Sequence, residues 1–468
     1  MPVKLALPKG RLLRRTAALL QKAEWGLDEY HSKAGFYRPK SQKFPDLLLR
    51  IFHEKDIPVQ IAMGNYDLGI CCLDWIEELL AKYPSSDVAK VRDLGYGEGA
   101  LYLASTLSEG ELRRNGTPVR IASEYPNLAE SFALKQRLSR FSIFAVWGAA
   151  EVYPPENAEM VLLAPRPGDD LASYGIVSLS KVLDFSAYLI ANRKSLESGG
   201  LDDSIRSIGD ALSVTEKKAP AAADICPVGI PGFARAEKTN QDIIRLALPD
   251  GHQQQYTVKL LQAAGITIED YPSETGNRRP GINLPGVSVK VIRPQDMPQQ
   301  VAGGNFDLAI TGRDWLTEHL AQFPSSPVRE LVDLKTGRVR LVAVISRDLP
   351  VDDPAGLSLL IKDREAPLRV ASEYVNIADK YAQDNHLGHY RVIPTWGATE
   401  AFLPDDADLL IENTETGRTI ARHNLKIIET LFESTACLIG HKTAPGPVKA
   451  DRINDIVNRL RAAAEGVK

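Results

Sequence analysis

Short apolar runs bounded by charged or turn-forming residues recur along the chain: LALP at 5–8, DLGI at 67–70, RIAS at 120–123, VLLA at 161–164 and AYLI at 187–190. A second series follows, LALP at 246–249, DLAI at 307–310, RVAS at 369–372, LLIE at 409–412 and ACLI at 436–439. Runs this short with apolar residues on both faces predict buried strands. The helical patterns between them predict an α/β fold with largely parallel sheets. The stretch DRINDIVNRLRAAAEG at 451–466 predicts a final helix.

The two series are copies. QIAMGNYDLGI at 60–70 matches QVAGGNFDLAI at 300–310 at seven of eleven positions, an offset of 240. RIASEYPNLAE at 120–130 matches RVASEYVNIAD at 369–379 at seven of eleven, an offset of 249 that also carries Trp147-Gly148-Ala149-Ala150-Glu151 onto Trp396-Gly397-Ala398-Thr399-Glu400. A period this long means duplication of a whole domain, not a solenoid. The expected organisation is a first repeat over 1–213, a linker over 214–241 rich in Ala, Pro and Lys, and a second repeat over 242–468. Polar or Pro-containing breaks near 106–118 and 347–367 divide each copy into two expected lobes with a cleft between them.

Composition narrows the function. With 44% hydrophobic and 25% charged residues, 34 Gly and 30 Pro, the 468-residue chain has the composition of a globular protein, not of a disordered or fibrous one, and a packed enzyme is expected. A formal charge of −4 without a long Lys/Arg run argues against nucleic acid or an anionic membrane as partner, while leaving phosphorylated small molecules open. The N-terminus lacks a signal-peptide pattern and no run reaches transmembrane length, so a cytoplasmic location is expected. Cys71, Cys72, Cys226 and Cys437 have neither metal-ligand nor disulfide spacing and read as buried free thiols; no protein-bound metal is assigned.

The segment ADLLIENTETGRTI at 407–420 reads as a buried strand, an acidic residue and a hydroxyl-and-glycine turn that opens a helix. Such a turn gathers backbone N–H groups, Thr hydroxyls and a helix dipole at one spot and suits a phosphate monoester. Glu412, just before it, is placed to accept hydrogen bonds from ribose hydroxyls.

This segment resembles the phosphoribosyl-pyrophosphate loop of the ATP phosphoribosyltransferases. The resemblance extends through Lys9-Gly10-Arg11, Arg293 with Asp296-Met297-Pro298, Gly304 to Gly312, Ser372-Glu373-Tyr374, Gly397 to Glu400 and Glu433 to Ile439. It implies two tandem bilobal units like periplasmic binding proteins, each with two mainly parallel-sheet lobes. The implied reaction joins phosphoribosyl pyrophosphate to N1 of ATP, with Mg2+ on the substrate phosphates, as the first step of histidine biosynthesis. The implied substrate contacts are Glu412, Thr414, Glu415, Thr416, Gly417, Arg418, Thr419, Gly312, Arg338, Arg340 and Glu400, with Arg293, Lys9 and Arg11 as catalytic candidates. Because the family works as dimers with an arginine crossing between subunits, the fusion implies an internal pseudo-dimer in which Arg38 and Arg279 are the crossing candidates. A further homo-oligomer or a separate regulatory subunit is compatible with it.

The copies share these residues unequally. The first has Leu163, Pro167 and Asp170 where the second has Glu412, Thr416 and Thr419, and His53, Glu98, Ala100 and Cys72 where the second has Arg293, Arg338, Arg340 and Gly312. Two aspartates, Asp169 and Asp170, would repel a phosphate there, and Pro167 removes an N–H donor. The second copy in turn has Asp250-Gly251-His252 where the first has Lys9-Gly10-Arg11. The expectation is therefore one phosphoribosyl site, in the second repeat, completed by cations of the first. The alternative reading is an inactive nucleotide-binding or regulatory protein of the same fold.

Overall fold

The computed structural model of the chain describes residues 2–31, 37–105, 118–138, 140–165, 171, 175–212, 242–274, 276–397, 399–443 and 446–466. The linker, Cys226 and the first-copy loop residues Arg166 to Asp170 lie outside the described residues. The chain forms two compact units. Unit 1 comprises Met1–Ala145, Glu159–Ala234 and Thr395–Phe402, and unit 2 comprises Val146–Ala158, Arg235–Pro394 and Leu403–Lys468. Each unit thus holds most of one repeat together with a short segment of the other.

In unit 1, β1 (Lys4–Pro8), α1 (Leu13–Lys22), β2 (Leu48–Phe52), α2 (Asp56–Ala62), β3 (Leu68–Cys72), α3 (Leu73–Lys82) and β4 (Val88–Asp93) begin one lobe. The other lobe takes β5 (Gly99–Ser105), β6 (Val119–Ser123), α4 (Pro126–Lys135), β7 (Phe141–Ala145), β8 (Met160–Leu163) and β9 (Val177–Phe185). The chain then returns to the first lobe as β10 (Ala187–Asn192), α5 (Arg193–Ser198) and α6 (Asp202–Ala211). The two sheets have the orders β2-β1-β3-β10-β4 and β7-β6-β8-β5-β9.

Unit 2 repeats this order. Its first lobe holds β11 (Ile244–Pro249), α7 (Gln253–Ala263), β12 (Val287–Ile292), α8 (Met297–Ala302), β13 (Leu308–Gly312), α9 (Arg313–Gln322) and β14 (Val328–Asp333). Its second holds β15 (Val339–Ser346), α10 (Pro354–Ile361), β16 (Leu368–Ser372), α11 (Val375–Asp384), β17 (Tyr390–Pro394), β18 (Leu409–Thr414), α12 (Arg418–Arg422) and β19 (Leu425–Ser434), and β20 (Ala436–His441) with α13 (Pro447–Gly466) completes the first. The sheets are β12-β11-β13-β20-β14 and β17-β16-β18-β15-β19. Each lobe has its own core: Leu246, Leu248, Leu308, Ile310, Leu438 and Leu460 in one, Leu341, Val370, Tyr374, Ala378, Leu409 and Ile411 in the other. Among the described residues no helix is long and apolar enough to cross a membrane.

Two expectations need correction. The sheets are mixed: β11 pairs in parallel with β12 and β13, whereas β20 pairs antiparallel with both β13 and β14. Parallel neighbours need a crossover helix, but β5, β10, β15 and β20 arrive from the other lobe of their own unit and are free to run the opposite way. The lobe boundary also differs. The chain passes between lobes at the short turns linking β4 to β5 and β14 to β15, and again where β9 and β19 hand over to β10 and β20; residues 354–361 form α10 inside one lobe. The forward turn carries left-handed backbone at Gly95 and Gly97 in one repeat and at Lys335 and Gly337 in the other, a conformation that reverses the chain within a few residues and explains the Gly95-x-Gly97-x-Gly99 pattern.

Candidate functional site

In unit 2, β18 ends in the expected turn. Leu409, Leu410 and Ile411 are fully buried and fix the strand, while Glu412 is half-buried at its end. Gly417 is left-handed (φ 73°), and its N–H donates to Thr414 Oγ1 at 2.9 Å. Because that bond uses an oxygen lone pair, the Thr414 hydroxyl proton is still available to an incoming oxyanion. Arg418 N–H lies 3.4 Å from Thr416 Oγ1. The following helix, α12, has only five residues and is anchored by buried Ile420. Its dipole is correspondingly small, so the amides and hydroxyls of the turn, not the macrodipole anticipated from sequence, carry any attraction for phosphate. Arg340 stands opposite Thr414 in the β15–β18 register and has no ion pair among the described residues. Arg338, largely exposed, is paired with Glu433.

A second cluster lies where β11 and β12 end. Asp250 Oδ2 receives Arg278 Nη1 at 2.9 Å and Arg293 Nη1 at 3.2 Å. Burial works to raise the Asp250 carboxyl, but the two guanidinium groups overcome it and hold the group below its ordinary value. The aspartate that replaces a lysine of the first copy is therefore the residue that gathers two arginines. His252 is exposed beside it. Arg278 also reaches Glu151 at 3.1 Å, and Trp147 N–H donates to both Asp296 carboxylate oxygens at 3.1 Å, so the Val146–Ala158 segment of the first repeat is an integral part of unit 2. Gly148 leaves room there: a Cβ on it would lie 3.1 Å from Arg293 Nε. Arg279 is bound to Glu156 at 2.9 Å and to the Val152 and Pro154 carbonyls, which makes it a packing residue of this segment. Glu400, the repeat equivalent of Glu151, is buried in Thr395–Phe402 and belongs to unit 1.

Gly312 ends β13 where a Cβ would fall 2.0 Å from Asp314 Oδ1. Asp314, near the start of α9, is almost fully buried and accepts from Tyr374 Oη at 2.5 Å and Ser434 Oγ at 2.9 Å. Burial raises its carboxyl, against the pull of these two donors. Trp315 stacks on Tyr374 at 4.4 Å, and Glu318 accepts the Asn376 and Ile377 N–H groups at 2.9 Å, capping α11 from the other lobe. Asp314, Glu318 and Arg278 were not singled out from the sequence, and Tyr374 was named only as part of the Ser372-Glu373-Tyr374 match. A signal did exist, because Asp74-Trp75, Glu78, Tyr125 and Asn127 hold the same places in the first repeat.

The first repeat uses its cations internally. Arg11 is 3.0 Å from Glu54 and 2.7 Å from Asp74, and its guanidinium lies 5.2 Å from the Phe185 ring centroid. Lys9 sits 5.8 Å from the Tyr37 ring, and Arg38 is exposed. His53, at the place of Arg293, is pushed down to about 3 by burial and by Lys55, Lys9 and Arg11, and so is neutral near pH 7. Cys71, Cys72 and Cys437 are buried free thiols.

One guanidinium cannot neutralise two buried carboxylates. Burial lifts Glu54 to about 7; Arg11 opposes this and Asp74 adds to it. The folded state therefore holds a proton that the unfolded chain has released above its ordinary value of 4.5. That stability is complete at low pH and is lost as pH rises through 7, at most on the order of 3 kcal/mol. Chemical denaturation of the chain between about pH 5 and pH 8 should show the first-repeat transition weakening with rising pH, and Glu54→Gln should flatten the slope. A wild-type slope of the opposite sign would contradict the assignment.

In a bilobal α/β unit, a strand-end acidic residue, a Thr-rich left-handed turn and arginines collected at the strand ends suit a phosphorylated ligand. The family model for ATP phosphoribosyltransferase matches residues 53–213 and 293–462, more than half the chain, and the chain belongs to that family. The ATP phosphoribosyltransferase of Geotalea uraniireducens is 34% identical over 232 residues, 48% of this chain and 75% of that protein. That of Chlorobium phaeovibrioides is 32% identical over 227 residues, 47% of this chain and 71% of that protein. Among solved structures, the Thermotoga maritima ATP phosphoribosyltransferase (HisG:HisZ) complex covers 48% of this chain and 98% of its own at 20% identity with a TM-score of 0.39. The periplasmic aliphatic sulphonate binding protein SsuA from Escherichia coli covers 47% and 72% at 11% identity with a TM-score of 0.31. The activity is that of the family, ATP phosphoribosyltransferase, the first step of histidine biosynthesis.

Proposed function

We propose that phosphoribosyl pyrophosphate is held in unit 2 alone. Its 5-phosphate sits in the turn Thr414 to Thr419 with Arg340 alongside, its ribose hydroxyls donate to Glu412, and its pyrophosphate faces Arg293. The C1–O bond to pyrophosphate breaks and takes its electron pair with the leaving group while N1 of ATP bonds to C1. Positive charge grows on the ribose and negative charge on the leaving group, so a fixed guanidinium is most effective as that bond breaks. The observation that carries this reading is the turn itself: Gly417 N–H on Thr414 Oγ1 leaves the hydroxyl proton available for donation. The family uses Mg2+. In this reading the ion rides on the substrate's own phosphates, where it would neutralise the departing pyrophosphate.

Arg11 held by Glu54 and Asp74, and a neutral His53, support a first repeat that does not bind this substrate. Calorimetric titration with phosphoribosyl pyrophosphate and Mg2+ should give one site per chain. Two equal sites would overturn the assignment to the second repeat.

A further inference from the structure

Both repeats close the same latch between their lobes. In the first, Tyr125 Oη donates to Asp74 at 2.8 Å, Trp75 stacks on Tyr125 at 4.3 Å, and Glu78 caps Asn127 and Leu128. In the second, Asp314, Trp315, Glu318 and Tyr374 do the same. The second repeat adds one link. Asn413 Nδ2 donates to Tyr374 Oη at 2.6 Å, whereas the equivalent first-repeat residue is Ala164, which has no side-chain donor.

We propose that Asn413 and Tyr374 are positioning residues for phosphoribosyl pyrophosphate, tying the strand end that carries Glu412 and the phosphate turn to the lobe junction at Asp314. The bond directions are fixed by chemistry. The single Tyr374 proton goes to the Asp314 carboxylate, so the hydroxyl must accept from the next group, and Asn413 presents its NH2 to it. Successive residues of a strand point to opposite faces, so Asn413, together with Leu409 and Ile411, projects from the face opposite Glu412 and Thr414. Leu409 and Ile411 belong to the lobe core, and Asn413 continues that face past the end of the core to reach Tyr374. The strand end is thus pinned from behind while its front face is left to the ligand. Ser372 strengthens the arrangement: its hydroxyl donates to the Ile411 carbonyl at 2.6 Å and accepts Tyr374 N–H at 2.8 Å, joining the same strand and the same tyrosine through a second path. The link occurs in the repeat whose turn keeps Thr416, Gly417 and Thr419, and is missing where these are Pro167, Gly168 and Asp170.

The inference rests on the proposed phosphoribosyl site and is tested on the full chain with the same titration. Tyr374→Phe keeps the ring on Trp315 but removes both hydrogen bonds. It should weaken binding of phosphoribosyl pyrophosphate by roughly tenfold, and raise its KM by more than it lowers kcat. Asn413→Ala, at an exposed position, should act in the same direction, and the double variant should be little worse than Tyr374→Phe alone, because the two groups share one bond. Tyr125→Phe breaks the same latch in the first repeat; it should lower the melting temperature comparably and leave binding unchanged. Equal losses of binding from Tyr374→Phe and Tyr125→Phe, or no loss from Tyr374→Phe and Asn413→Ala, would overturn the positioning role. Thr419→Asp separates this from the site assignment: binding that survives Thr419→Asp refutes the site itself, whereas binding lost there but intact in Tyr374→Phe refutes only the relay.

Discussion

Thr419→Asp is expected to abolish binding of phosphoribosyl pyrophosphate without harming the fold. Thr419 is exposed in the first turn of α12, and its carbonyl accepts His423 N–H at 3.2 Å, a bond the substitution keeps. An acidic residue in the first turn of a helix is favourable toward the N-terminal amides, so the melting temperature should stay level or rise. A phosphate meets the opposite outcome. It loses a charge-assisted bond worth about 1.5–3 kcal/mol and gains a like charge in contact. The substitution reproduces the first repeat, where Asp170 stands at this position. Titration calorimetry with thermal melting of the same sample provides the check, and undiminished affinity would show that the phosphate lies elsewhere.

Arg293→Ala is expected to reduce kcat by on the order of 10²–10³-fold, the range found when one donor aimed at developing charge is removed, with a much smaller change in KM for phosphoribosyl pyrophosphate. The fold should tolerate the change. Arg278 remains 2.9 Å from Asp250, so no buried carboxylate loses its last cation. The guanidinium is about one-third exposed and held at 3.2 Å by Asp250, an arrangement that fixes its direction without enclosing it. Steady-state pyrophosphate release, with each substrate varied in turn, separates the two parameters. A loss confined to KM would make Arg293 a ground-state binding group only.

Local, contiguous signals carried much of the fold and the turn on which the proposed site rests. Buried strands such as β3, β6, β13 and β16 are apolar on both faces and stand out in any short window. The turn at Thr414 to Thr419 is equally local, because a left-handed glycine between hydroxyl residues needs only its neighbours to form. Edge and crossing strands were less visible. β9 reads VSLSKVLDF with partial burial along its length, and β4 reads VAKVRD, patterns that match a solvated helix face as readily as a strand.

The duplication, the two-lobed α/β class and the family resemblance were all determined by the sequence by itself, since each is written in residues close together or repeated at a fixed offset. Only the tertiary structure decided that Asp250 collects Arg278 and Arg293, that Arg11 is tied to Glu54 and Asp74, and that Asp314, Tyr374 and Asn413 form one chain of hydrogen bonds. Their partners lie 28 to 63 residues apart: Asp250 and Arg11 meet theirs at the ends of neighbouring strands of one sheet, whereas Asp314 and Tyr374 meet across two lobes of one unit. A charge's partner depends on where the fold returns the backbone, and no periodicity in the sequence encodes it. The same residue type therefore reads identically in the sequence whether it awaits a substrate or is already held by a neighbour.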